Sequence, residues 1–110
     1  MEIKVNSKNF RREVTESDVP VVLEFYTEDS GKCRILDTVI SDIADEFDGE
    51  VKLCKIDMNK DPDLAEEYNA FDAPMLVRIE NGDITTWLES GDIVNGGSVN
   101  EDEVRGIFEM

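Results

Sequence analysis

The chain has 110 residues and a net charge of −16, from 11 Lys and Arg against 27 Asp and Glu. That length fits one domain, spanning residues 1–110, with a single core, and the charge repels nucleic acid and anionic membranes at long range. There is no histidine, which removes the commonest neutral-pH base and metal ligand, and two cysteines, Cys33 and Cys54, make neither a disulfide scaffold nor a zinc site.

Ile3 and Val5 alternate as a short strand, and Asn6 or Ser7 is placed to cap a short helix containing Phe10, Arg11, Glu13 and Val14. After Pro20, Val21 to Tyr26 is an almost unbroken run of β-formers, as expected of a strand covered on both faces. Glu24 interrupts that run, and a carboxylate there must be paired, wet or protonated. A turn carrying Ser30-Gly31-Lys32-Cys33 leads into a helix whose apolar positions are Ile35, Leu36, Val39, Ile40, Ile43, Ala44 and Phe47. Gly49 stops it. Val51 to Met58 forms the next strand, which completes a βαβ crossover and makes the fold class α/β.

Asp61-Pro62 opens a further helix, with Asp as the cap, Pro in the first turn and Leu64, Ala65 and Tyr68 facing inward. Ala73-Pro74 precedes the strand Met75 to Glu80. Asn81-Gly82 is a hairpin turn into Ile84 to Leu88, so these last strands are antiparallel. Trp87 is expected to pack on the sheet. Ser90 to Val99 reads as a glycine-bearing loop, and Asn100-Glu101-Asp102-Glu103 as a capping box for a terminal helix with Val104, Ile107 and Phe108 inward.

Several function classes drop out. The Gly31-Lys32 pair is not a phosphate loop, because Tyr26 stands at the required first glycine and Cys33 at the Ser or Thr. Asp57 to Tyr68 begins like a calcium loop, but Pro62 occupies the glycine and Tyr68 the closing Glu. No cofactor motif and no metal-ligand set is present. No segment is long and apolar enough to span a membrane, and Met1-Glu2-Ile3-Lys4 lacks the form of a signal peptide, so the cytoplasm is the expected location. The acidic balance leaves two readings open: a solvated surface, or one that meets a basic partner. Nothing in the sequence sets the oligomeric state.

The order of elements, together with Leu23 to Cys33, Ile43-Ala44-Asp45-Glu46-Phe47, Lys55-Ile56-Asp57, Ala73-Pro74 and Asn81-Gly82, resembles the thioredoxin family from about Ile3 to Phe108. The resemblance implies the thioredoxin fold, a central mixed sheet of about five strands flanked by about four helices. It implies a cis peptide bond before Pro74, set against the active-site turn, where an extended protein or peptide partner pairs with the backbone.

The family motif is Trp-Cys-Gly-Pro-Cys, in which the first thiol attacks a disulfide and the second resolves the mixed disulfide. Here Asp29 stands at the Trp, Ser30 at the attacking Cys and Lys32 at the Pro, with Gly31 and Cys33 retained. A serine hydroxyl stays protonated and carries no redox equivalents, so Ser30 and Cys33 cannot run a two-thiol cycle. Cys33 has two readings: a packed thiol, or a reactive one whose pKa is lowered by the helix N-terminus and Lys32. Glu24 and Lys55 resemble the family's Asp and Lys pair, which implies either a proton relay to Cys33 or an inherited ion pair. Cys54 has the opposite parity to Lys55, so it reads as core, unable to reach Cys33.

Two functions follow as expectations, beside a third possibility, a Cys-to-Ser trap of an active thioredoxin, which as one change does not explain Asp29 and Lys32. One is a binding or adaptor module without ordinary dithiol–disulfide reductase activity, using Asp29, Ser30, Gly31, Lys32, Ala73 and Pro74. The other is a monothiol redox protein in which Cys33, helped by Glu24 and Lys55, forms a mixed disulfide with a partner or with glutathione.

Overall fold

A computed structural model describes residues 2–110; Met1, at the head of the Met1-Glu2-Ile3-Lys4 stretch, lies outside the described residues. A five-stranded sheet runs in the order β1-β3-β2-β4-β5, built from β1 (Glu2–Lys4), β2 (Val21–Tyr26), β3 (Lys52–Asp57), β4 (Met75–Glu80) and β5 (Asp83–Leu88). β3 is parallel to both β1 and β2, while β4 is antiparallel to β2 and to β5. The longest run of apolar β-formers, in β2, takes the centre, between β3 and β4 and with core on both faces.

Alternation along the strands divides the core in two. Val22, Leu53 and Leu76 face α1 (Gly31–Glu46) and α4 (Glu101–Glu109), where they meet Leu36, Ile40, Val104, Ile107 and Phe108. Val21, Leu23, Phe25, Cys54, Ile56 and Val77 face the other side, against Val14, Ala65 and Tyr68. α2 (Pro62–Glu67) supplies Ala65 with Pro62 in its first turn. The glutamate of β2 therefore lies on the α1 side and the second cysteine on the α2 side.

Local capping differs from the sequence expectation at four places. Asn6 Oδ1 accepts from the Lys8 and Asn9 N–H groups at 2.8 and 3.3 Å in the preceding turn, but the segment that follows, Arg11–Thr15, is π-helical and its N-cap is Phe10, without a side-chain cap bond. Asp61 sits at the α2 cap, yet its carboxylate turns away to accept from the Ser7 N–H at 3.4 Å. Asn100 makes no side-chain cap bond to α4. The supposed loop 90–99 is folded: α3 (Ser90–Ile93) is followed by a two-stranded ribbon, β6 (Val94–Asn95) and β7 (Ser98–Val99). Reciprocal bonds cap α3, from Glu89 N–H to Asp92 Oδ2 at 3.0 Å and from Asp92 N–H to Glu89 C=O at 2.9 Å. Gly96 and Gly97, with φ of +60° and +82°, supply the left-handed turn of the ribbon.

Candidate active site

At the C-terminal end of β2 the chain turns through Thr27-Glu28-Asp29 and enters α1 at Ser30. Ser30 is the N-cap: its backbone is extended and its Oγ accepts from the Cys33 N–H at 3.3 Å. Serine is among the best residues for this position, since the hydroxyl satisfies one of the free N–H groups of the first turn. Asp29, Gly31 and Lys32 are exposed around it.

Cys33 is 2 % exposed. Burial pushes its thiol pKa up, and the Glu24 and Asp37 carboxylates add to the rise; the Thr27 backbone and Ser30 hydroxyl oppose it without prevailing. The helix N-terminus is present, but it acts on a sulfur removed from water, and Lys32 is exposed.

Beneath Cys33 lies the charged cluster. Glu24 is completely buried, and neither carboxylate oxygen has a hydrogen-bond partner among the described residues. Lys55 approaches Glu24 Oε1 to 3.9 Å, but it donates to Asp37 Oδ1 at 3.0 Å and lies 3.9 Å from Glu2 Oε1. Its ammonium also stands 4.9 Å from the centre of the Tyr26 ring. Desolvation pushes the Glu24 carboxyl up to about 8; Lys55 pulls it down, but Asp37 and Glu2 push it further up. Glu24 is therefore mostly protonated at neutral pH, and Lys55, held above its ordinary pKa by these carboxylates despite its burial, stays charged.

The Ala73–Pro74 bond is cis and Pro74 is buried. Ala73 and Ser30 line one open cavity of about 490 Å³, with Thr27, Met58, Ala70 and Phe71. Within the chain no hydrogen bond occupies the Ala73 N–H or C=O among the described residues. The sequence-expected residues thus separate into two layers. Ser30 and Ala73 line the cavity, beside Thr27, which the sequence did not single out, whereas Cys33, Glu24 and Lys55 form the layer behind. Cys54, in register with Leu23 on the far side of the sheet, belongs to neither, and burial pushes it up to about 11. Both cysteines are free.

A family model described as Thioredoxin matches residues 1–100. The chain belongs to the thioredoxin family. Among curated thioredoxins, that of Rickettsia felis is 34% identical over 79 residues, 72% of this chain and 75% of its own length. Thioredoxin 1 of a Nostoc species is 32% identical over 79 residues, 72% and 74% of the two chains. The thioredoxin of Porphyra purpurea is 31% identical over 80 residues, 73% and 75%. Against that thioredoxin background, sequence reasoning left two residues without a role. Asp37 is one, outside the apolar set of α1, although its i, i+4 spacing from Cys33 puts it on the same face of that helix. Asp72, just before Ala73, accepts from the buried Ser90 hydroxyl at 2.7 Å and so ties the cis-proline loop to α3.

Proposed function

We propose that this thioredoxin-family chain is a binding module that holds an extended protein segment between the Ser30 turn and Ala73-Pro74, without ordinary dithiol–disulfide reductase activity. One observation carries the reading: the hydroxyl at the turn is spent on capping α1, and the only nearby thiol is buried with its pKa raised. No histidine is available to activate Ser30 as a nucleophile. What remains is a cavity with a free backbone N–H and C=O at Ala73, which suits strand-like pairing and needs no sulfur chemistry. In this reading the Glu24 and Lys55 pair is inherited scaffold.

The test is insulin reduction with dithiothreitol as the electron source. The natural chain is expected to show no acceleration, and Ser30→Cys, which creates a Cys-Gly-Lys-Cys pair, is expected to gain it. Reduction by the natural chain would overturn the proposal. The monothiol alternative is checked alongside, in a Cys54→Ala background, by the pH dependence of Cys33 alkylation and by mass spectrometry after oxidised glutathione. Slow labelling up to alkaline pH and no adduct are expected; fast labelling near neutral pH with an adduct would replace the binding reading with the redox one.

A further inference from the structure

The cavity at Ser30 does not end at the cis-proline loop. It shares Phe71 and Asp72 with a second hollow of about 240 Å³, and that one shares Asn69, Met75 and Glu89 with a third of about 330 Å³. The third lies under Tyr68, Ile84 and Trp87. Together they make one continuous groove from the α1 cap to the outer hairpin.

Its far end exists because α2 is short. Ile84 and Trp87 pair with Ile79 and Val77 and so project to the α2 side of the sheet. α2 stops at Glu67, which leaves the edge strand uncovered: Trp87 is 56% exposed and Ile84 50%, with Phe71 at 75% midway along. The sequence expectation that Trp87 packs into the sheet fails here, because no helix reaches far enough to bury it. Exposed large apolar side chains grouped in a groove mark an interaction surface.

The polar part of the lining fixes the sign of the occupant. Glu66, Asp72 and Glu89 line the three hollows, and no Lys or Arg does. A second copy of a chain carrying −16 is repelled from such a surface. We propose that the groove binds an extended, basic segment of a partner protein, one of whose Arg or Lys side chains lies against Trp87 with Glu89 as its counter-charge. An aromatic face beside a carboxylate is the environment a guanidinium or ammonium prefers over water. This deepens the peptide-binding reading of the Ser30 cavity and rests on it.

Trp87 is the chain's single tryptophan, so its emission reports on this end of the groove alone. The probe is an acetylated, amidated hexapeptide of alternating arginine and leucine, with a glutamate-for-arginine version as control, titrated at physiological salt with amide shifts recorded in parallel. The arginine peptide is expected to change Trp87 emission saturably and to move the Ser30, Tyr68 and Glu89 amides. Glu89→Gln, which leaves the Glu89 backbone and Asp92 side-chain bonds of the α3 cap in place, is expected to weaken binding about fivefold, and Trp87→Ala to abolish the Tyr68 shift. Glu50→Gln, at the opposite end of the sheet, is expected to leave binding unchanged. If the Ser30 amide moves and Trp87 does not respond, this extension fails while the peptide-binding reading stands. If neither responds, both fail. Equal binding of the glutamate peptide, or equal loss in Glu50→Gln, would overturn recognition of charge in the groove.

Discussion

Lys55 stands closer to Asp37 than to Glu24, at 3.0 Å from one carboxylate and 3.9 Å from the other. The cation nearest the buried glutamate is thus committed to a residue at the rim of the site. Removing the competitor frees it. Asp37→Asn is expected to let Lys55 move toward Glu24 and also to remove one negative charge that raises the Glu24 pKa. Both effects lower it from about 8, by on the order of one unit. A carboxyl carbon titration followed by NMR reads this directly, and a Glu24 midpoint that stays or rises in the variant would show that Asp37 does not control the pair.

The same buried carboxyl makes stability depend on pH in a window where little else titrates. Its folded pKa, about 8, exceeds the ordinary 4.5, so the folded chain binds this proton more tightly than the unfolded one. Its contribution is fully present below about 4.5 and is lost as pH rises, completely so above about 8. The slope is at most about 1.4 kcal/mol per pH unit. Glu13, whose pKa is lowered chiefly by its hydrogen bond with Lys52, acts in the opposite sense but at lower pH, and the chain has no histidine. Urea midpoints should therefore fall steadily from pH 5 to 8 in the natural chain and stay nearly flat in Glu24→Gln. Parallel declines in the two proteins would assign the effect to general charge repulsion instead.

Much of this was legible in the sequence, and the exceptions share a cause. The strand β2, the helix α1 and the Asn81-Gly82 turn, which has φ of +54° and +83°, follow from periodicity and from residues suited to positive φ. Glu24 stood out because it broke a pattern. Lys55 to Asp37 did not, since Asp37 fits its helix as a solvated residue and the contact spans 18 positions. The ribbon of β6 and β7 is two residues per strand, too short for alternation to register. Its neighbour α3 is capped through Glu89, a residue outside the usual cap set. Trp87 alternates correctly for a packed strand; its exposure depends on the length of a helix about 20 residues earlier, which no local pattern encodes.

Ser30 couples helix stability to the thiol behind it. Ser30→Ala removes the acceptor for the Cys33 N–H and is expected to cost about 1 kcal/mol, the ordinary value of an N-cap. It also removes one of the two interactions that hold the Cys33 pKa down, so thiol labelling should shift to higher pH. Ser30→Thr keeps the cap and should keep both properties. Loss of stability in Ser30→Ala with unchanged Cys33 labelling would separate the cap from the sulfur.

The final helix is held by a cation that the alternation of β4 places on the inner side. Arg78 is 3% exposed and its Nη1 donates to the carbonyls of Ile107 and Phe108, at 2.8 and 3.0 Å, while Nε meets Glu80 at 3.0 Å. Those carbonyls end α4 and have no later turn to accept from, and the negative end of the helix dipole favours a cation there. Arg78→Met keeps much of the apolar stem but strands both acceptors in a buried place, at an expected cost of about 2 to 4 kcal/mol. The loss should be local as well as global. Amide exchange in α4 is expected to speed up by more than the fall in overall stability accounts for, because the helix then frays without the rest of the sheet opening. An equal fall in protection across β2, β3 and α4 would mean that Arg78 acts through core packing and that α4 needs no tether at its end.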